Sequence, residues 1–305
     1  MTLPVRYPLV IDGGLSNQLE SQGHTLDDPL WTARLLADQP GAIQKAHRAY
    51  LDAGARCLIT ASYQATVQGF LSRGYDPDKA EKLLLSTVDL ARQAVAEFCS
   101  RGAVDKAPLV AASIGPYGAF LADGSEYTGN YGITDQALED FHRPRLELLD
   151  ASDADFFAVE TIPCFPETRA LARLLQKTQK SAWMSFSCRD GRHLHDGTPI
   201  EECVRLLSGH PRVFALGVNC TAPRYISELI RRIRGQNPQK RIVIYPNSGE
   251  IYHAGTRTWS DSSDRVFLEK MVGEWLDLGA DIIGGCCRLG PSAIRSIARV
   301  VRSRR

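Results

Sequence analysis

The stretch Asp277-Leu-Gly-Ala-Asp281-Ile-Ile-Gly-Gly-Cys-Cys-Arg288 carries one repeat of the chain in miniature. A helix ends at a glycine, a short apolar strand follows at once, and polar residues gather at the strand's end. Glycine just past a helix, running straight into a strand, is the chemistry of a tight αβ turn. Related wording recurs at Asp52-Ala-Gly-Ala55 and Asp150-Ala-Ser-Asp-Ala-Asp155, each before another apolar run. This hints at a repeating βαβα unit.

Working outward, eight short runs rich in Val, Ile and Phe occupy 9–12, 57–60, 109–114, 156–161, 182–187, 213–218, 242–245 and 281–284. None alternates strictly, which suits strands covered on both faces of a parallel sheet. Helical periodicity lies between them, as at 42–51, 78–98, 134–149 and 266–278. Eight βα units in 305 residues match an α/β fold of the single (β/α)8 TIM-barrel type. The alternative is a doubly wound open sheet, but the first strand leads into Asp12-Gly-Gly-Leu-Ser16 and not a G-x-G-x-x-G loop. No linker rich in Pro, Gly and Ser divides the chain, so 1–305 is read as one domain. The longest βα loop, 116–133, holds Tyr117, Tyr127 and Tyr131 and belongs at the catalytic face of a barrel.

Composition excludes several classes. Hydrophobic residues are 44% and charged residues 23%, with net charge +1, so no global field favours nucleic acid or a membrane surface. The basic stretch Arg231, Arg232, Arg234, Lys240 and Arg241 has no interleaved aromatics and reads as a helix end and solvated loop. No signal peptide or membrane-spanning run is visible, which makes the cytoplasm the expected location. Eight cysteines are too sparse for a disulfide scaffold, and in a reducing compartment a cysteine cluster points to metal or catalysis.

In a barrel, polar residues at strand C-terminal ends face the active site. Those ends carry Asp12-Gly13-Gly14, Tyr63, Ser113, Glu160, Asn219-Cys220 and Cys286-Cys287. Cys220 closes the sixth strand and the cysteine pair closes the eighth, so three sulfurs from distant segments can converge beside strand seven. Soft thiolates select zinc, and three protein ligands leave the open position of a catalytic site. The Gly284-Gly285 lead-in is read as a sharp turn that lets adjacent side chains reach one ion. Cys57, Cys99, Cys164, Cys188 and Cys203 are assigned to packing, and His193 and His195 to solvent. Two alternatives remain open: a redox module with a Cys286–Cys287 disulfide, and a phosphate-binding barrel using Asn247-Ser-Gly or Gly284-Gly.

These motifs resemble the homocysteine S-methyltransferase family nearly end to end. The most specific matches are Gly217-Val-Asn-Cys220 and Gly284-Gly-Cys-Cys-Arg288, supported by Asp28-Pro-Leu-Trp31, Glu160-Thr161, Asp196-Gly-Thr-Pro199 and Tyr245-Pro-Asn-Ser-Gly-Glu250. The segment Ser113-Ile-Gly-Pro-Tyr-Gly-Ala-Phe-Leu-Ala-Asp-Gly-Ser-Glu-Tyr127 is similar to the branch using S-methylmethionine or S-adenosylmethionine. His253 departs from the pattern, where Asp or Asn is expected.

The resemblance implies methyl transfer from a sulfonium to the thiol of homocysteine, with one zinc per chain on Cys220, Cys286 and Cys287. A free thiol is only a few per cent ionised at neutral pH, and zinc would hold it as thiolate, so no protein general base is expected. Substrate contacts are expected from Glu160, which would take the ammonium group, and from Asp12, Gly13, Gly14, Ser113 and Asn219. The cationic donor calls for aromatic faces, with Trp31, Tyr63 and Tyr127 as the candidates. Expected partners are these two small molecules alone, with neither nucleic acid nor membrane, in a monomer or weak homo-oligomer.

Overall fold

The computed structural model describes residues 7–24, 32–102, 105–253, 258–260 and 268–304. Strands β1 (Leu9–Val10), β2 (Cys57–Ile59), β3 (Leu109–Ile114), β4 (Phe156–Ile162), β5 (Ala182–Phe186), β6 (Val213–Asn219) and β7 (Arg241–Tyr245) correspond to the first seven apolar runs. After them come β8 (Ile251–His253) and β9 (Thr258–Ser260), an antiparallel hairpin that the apolar pattern does not show, and then β10 (Ile282–Ile283). The eight parallel strands run in the order β1-β10-β7-β6-β5-β4-β3-β2. A parallel bridge between Ile11 and Cys57 joins the two ends, and Arg56 N donates to Val10 O at 2.8 Å. The fold is a (β/α)8 barrel.

Helices pack on the outside between strands. Pro40–Ala53 and Pro77–Ser100 start with proline in their first turn, where its missing N–H costs nothing. Gly54 and Gly279 end their helices at φ +113° and +95°, the left-handed turn expected of them. The third junction differs: Ala151 stays right-handed after Asp135–Asp150, so it needs no glycine.

Strand residues alternate between two cores. Val110, Ala112, Phe157, Val159, Leu216, Val218, Ile242 and Ile244 pack outward against helices. Leu9, Ile11, Leu109, Ala111, Phe156, Ala158, Trp183, Ala215, Val243 and Ile282 fill the barrel interior. Continuing the inward series by two residues gives Ser113, Glu160, Ser185 and Tyr245, and on β6 a step of four, past Gly217, gives Asn219. This parity caps the apolar interior with a polar layer and builds the floor of the site. None of the described helices is long and apolar enough to cross a membrane.

Candidate metal centre and substrate cavity

The polar layer is internally bonded. Ser185 Oγ lies 2.8 Å from Asn219 Oδ1 and 2.6 Å from the Tyr245 hydroxyl, to which Trp183 Nε1 donates at 3.1 Å. Asn219 also accepts from Thr161 N and donates to Thr161 Oγ1, both at 2.7 Å. Ser113 Oγ donates to Glu160 Oε1 at 2.5 Å. Burial pushes the Glu160 carboxyl up to about 8, opposed by the Ser113 hydrogen bond and reinforced by Cys286.

Above this layer the chain turns. Thr161, Cys220 and Arg288 have φ of +62°, +46° and +67°, each costing on the order of 1–3 kcal/mol for a residue with a Cβ. The turn at Cys220 swings its thiol from the end of β6 toward β10. Cys220 Sγ stands 3.6 Å from Cys287 Sγ, which is 4.0 Å from Cys286 Sγ. Their backbones are fixed by Cys220 N to Tyr245 O at 3.1 Å, Cys286 N to Pro246 O at 2.8 Å and Ser248 N to Cys287 O at 3.1 Å. All three sulfurs fall within 4.8 Å of one another. Cys220 is buried, while Cys286 and Cys287 are partly open. Hydrogen bonds from Cys286 and then Cys287 hold the Cys220 thiol well below its usual range. The same bonds, seen from the donors, push Cys287 up and hold the Cys286 thiol above its usual range.

The donor set fits a tetrahedral thiophilic ion. Ligands about 2.3 Å from zinc lie roughly 3.8 Å apart, and the observed 3.6 and 4.0 Å straddle that value. The five remaining cysteines are free and lie outside this group.

Gly284 and Gly285 serve space, not a turn. Neither has a left-handed φ. A Cβ on Gly284 would lie 2.4 Å from Ile11 Cγ1 and 2.6 Å from Asp12 O, and one on Gly285 would lie 2.7 Å from Leu289 Cβ. The left-handed turn comes after the cysteines, at Arg288, whose Nε donates to Glu250 Oε2 at 2.7 Å.

The thiols line a cavity of ≈120 Å³ together with Gly13, Gly14, Tyr63, Glu126, Tyr127, Glu160, Thr161 and Tyr245. Among the described residues, no Lys, Arg or His lines it. The Tyr127 hydroxyl is 3.7 Å from Cys220 Sγ. Asp12, Ser113 and Asn219 stand behind the wall. Asp12 Oδ2 accepts from Ile59 N at 2.8 Å across the β1–β2 seam, and its carboxyl is driven well up, chiefly by burial. The Gly14 N–H is already committed to Leu289 O at 3.1 Å. Trp31 lies outside the described residues.

His195 does not face solvent. Its Nε2 is 3.0 Å from Ser187 Oγ and its ring meets Tyr127 edge-on at 5.9 Å, and burial drives it down to about 4. His193, half-exposed, bonds Asp190 at 3.0 Å. Neither joins the thiol group. Glu126 and Tyr245 escape the sequence reading of the site. Tyr245 is reachable by counting two residues on from Val243, whereas Glu126 sits in the single turn Ser125–Tyr127, where no periodicity operates.

Beneath the 116–133 loop is a buried polar hub. Glu167 accepts from Tyr117 N at 2.6 Å, Tyr131 Oη at 3.0 Å and His142 Nε2 at 2.7 Å. Arg145 donates to His142 Nδ1 at 2.7 Å, to Gly115 O and to Tyr63 O. This assigns the neutral Nε2–H tautomer to His142, in keeping with a pKa lowered by burial to about 4. The hub ties the two helices Asp135–Asp150 and Phe165–Leu175 to the loop that carries Glu126 and Tyr127.

Residues 9–301 match the family model described as homocysteine S-methyltransferase. Homocysteine S-methyltransferase YbgG of Bacillus subtilis (strain 168) is 44% identical, over 97% of this chain and 96% of its own. Homocysteine S-methyltransferase 4 of Zea mays is 47% identical, over 96% and 89%. Among solved structures, the metallated form of the homocysteine methyltransferase MmuM from Escherichia coli superimposes with TM-score 0.86 at 41% identity, covering 95% of both chains. With the family model spanning nearly the whole barrel, the chain belongs to the homocysteine S-methyltransferase family of enzymes.

Proposed function

We propose that the chain transfers a methyl group from S-methylmethionine or S-adenosylmethionine to the thiol of homocysteine, forming methionine, with one zinc ion held by Cys220, Cys286 and Cys287. The observation that carries this reading is the convergence of three sulfurs within 4.8 Å on the wall of a cavity that offers carboxyls and, among the described residues, no basic side chain. The names of the relatives supply the acceptor. Zinc, when bound, supplies a Lewis acid that keeps a substrate thiol deprotonated at neutral pH.

The protein's own groups orient the two substrates. Glu160, held by Ser113, takes the ammonium end of homocysteine, and Gly13 and Gly14 present backbone on the cavity wall to the same substrate. Asp12, Ser113 and Asn219 act from behind by fixing the barrel seam, the Glu160 carboxyl and the Thr161–Cys220 turns. Tyr63 and Tyr127 flank the donor, and Tyr127 shields Cys220 from water. In the reaction, a bond forms between the acceptor sulfur and the methyl carbon. The donor's carbon–sulfur bond breaks, its electron pair staying on the leaving thioether. The acceptor's proton passes to solvent, so no general base is assigned. Alignment of the two sulfurs with the methyl carbon is what the rigid floor provides. We take 1–305 as one homocysteine-binding barrel domain acting in the cytoplasm, where thiols stay reduced, as a monomer or weak homo-oligomer.

The test is zinc content and methionine formation in the wild type, Cys286→Ser and a distant Cys99→Ser control. One zinc per chain, lost with activity only in Cys286→Ser, supports the reading. Reduced protein that stays folded, binds no zinc and makes no methionine after metal is restored overturns it in favour of the redox alternative.

A further inference from the structure

The cavity has two carboxyls, and the scheme above employs one. Glu126 is 7% exposed and lines the cavity, yet its Oε2 is buried without a hydrogen-bond partner. Its place is imposed by the backbone: a Cβ on Gly118 would sit 2.3 Å from Glu126 N, so the loop closes only over glycine there. Its charge acts on the Tyr63 and Tyr127 hydroxyls, both on the cavity wall. A carboxyl kept out of water normally has a protein cation beside it, and none of the described residues lining this space carries one. Burial pushes Glu126 up to about 7, as expected of a group awaiting a partner.

We propose that Glu126 is the counter-charge that recognises the sulfonium of the methyl donor, with Tyr63 and Tyr127 turning ring faces to the same cation. The inference rests on the sulfonium-donor reading above. Glu160 is the other carboxyl; unlike Glu126 it is tied down at the barrel floor by Ser113, and the scheme above gives it to the acceptor. The assignment has a consequence for turnover. Transfer converts the donor from a cation into a neutral thioether, so the carboxyl loses its partner as the reaction finishes. The same residue that favours donor entry therefore favours release of the demethylated product.

The measurement is calorimetric binding of S-methylmethionine and of methionine, which has the same skeleton without the sulfonium charge, to wild type and Glu126→Gln. Wild type is expected to prefer S-methylmethionine by roughly 30-fold or more, and the variant to approach parity. A preference that survives in the variant overturns the inference, as does an equal loss of both ligands, which would assign Glu126 to the ammonium group. Failure of wild type to bind S-methylmethionine also overturns it. Should Glu126→Gln not fold, Glu126→Asp keeps the charge but withdraws it by one methylene, and an unchanged preference there counts against the idea. Steady-state kinetics add a second readout: KM rises for the donor and stays put for homocysteine. Absence of methionine formation by wild type, with donor preference intact and lost in Glu126→Gln, would sink the methyl-transfer reading while leaving this one standing.

Discussion

Asn219 clamps Thr161 from two sides: Oδ1 accepts from Thr161 N and Nδ2 donates to Thr161 Oγ1, both at 2.7 Å. One side chain thereby holds a β-branched residue at φ +62° beside Glu160, while its own backbone leads into Cys220. The amide also reaches to 3.9 Å from Cys286 Sγ. Asn219→Ala should cost about 2–4 kcal/mol, from the lost bonds to a buried strained turn. It should also weaken zinc binding about 10–100-fold, the usual price of losing a group that orients metal ligands. Urea unfolding and zinc competition against a chelator read the two effects separately. Wild-type values in both would mean the clamp is incidental.

The barrel was legible because burial on both faces leaves a plain signal, an apolar run of strand length between helical patterns. The cysteine convergence was legible for a related reason: strand number alone places the ends of β6 and β10 on either side of β7. What failed to show is local. Gly284 looks like a turn residue in sequence, and only the neighbouring strand shows that it answers the approach of Ile11 and Asp12. His195 sits in a glycine-flanked loop that reads as exposed, whereas its ring bonds Ser187 and meets Tyr127, a residue distant in sequence. Glu126 is an acidic residue in a polar loop, a pattern indistinguishable from solvated decoration until Gly118 folds against it. The β8–β9 hairpin is too short and too polar for the apolar pattern to register.

Gly284→Ala tests the steric reading directly. The added methyl meets Ile11 Cγ1 and Asp12 O at 2.4 and 2.6 Å, and the backbone oxygen cannot yield without shifting β1. A loss of about 1–3 kcal/mol is expected, with reduced zinc retention because β10 must move. Gly41→Ala is the matched control. It lies in the helix Pro40–Ala53 with nothing within 4 Å of its Cβ, so about 0.5–1 kcal/mol of stabilisation is expected. Equal effects of the two substitutions would refute the close-approach argument.

The Glu167 hub predicts a separation between charge and shape. Glu167→Ala removes the acceptor of Tyr117 N, Tyr131 and His142 and the charge that offsets the buried Arg145 through His142, and should destabilise by about 3–5 kcal/mol. Glu167→Gln keeps an acceptor for Tyr117 N but weakens the bonds from Tyr131 and His142. It should fold and raise the donor's KM more than that of homocysteine, because the hub fixes the loop bearing Tyr127. Equal shifts in both KM values would show that the hub supports the barrel generally and not the donor side.

Buried histidines weaken the fold in acid, and His47 and His142 are the two that are fully enclosed. Burial drives both His47 and His142 down to about 4, against about 6.5 in the unfolded chain. Between those values the unfolded state binds protons that the folded state refuses. Their contribution is therefore complete above about pH 6.5 and is lost as pH falls toward 4, by roughly 3 kcal/mol each. Glu126 and Glu160, raised to about 7 and about 8, run the other way. They hold protons that the unfolded state releases above about pH 4.5, so stability drops as pH rises through their window. The opposing slopes overlap between about pH 4.5 and 6.5, which makes the wild-type curve alone uninformative. The difference between wild type and His47→Leu isolates one group, since both ring nitrogens of His47 are buried without partners. The variant should match or exceed wild type at pH 7.5, and its advantage should grow by about 1.4 kcal/mol for each pH unit below 6.5. Parallel stability curves from urea unfolding at pH 7.5, 6.0 and 5.0 would show that His47 is protonated in the fold and that the burial argument fails there.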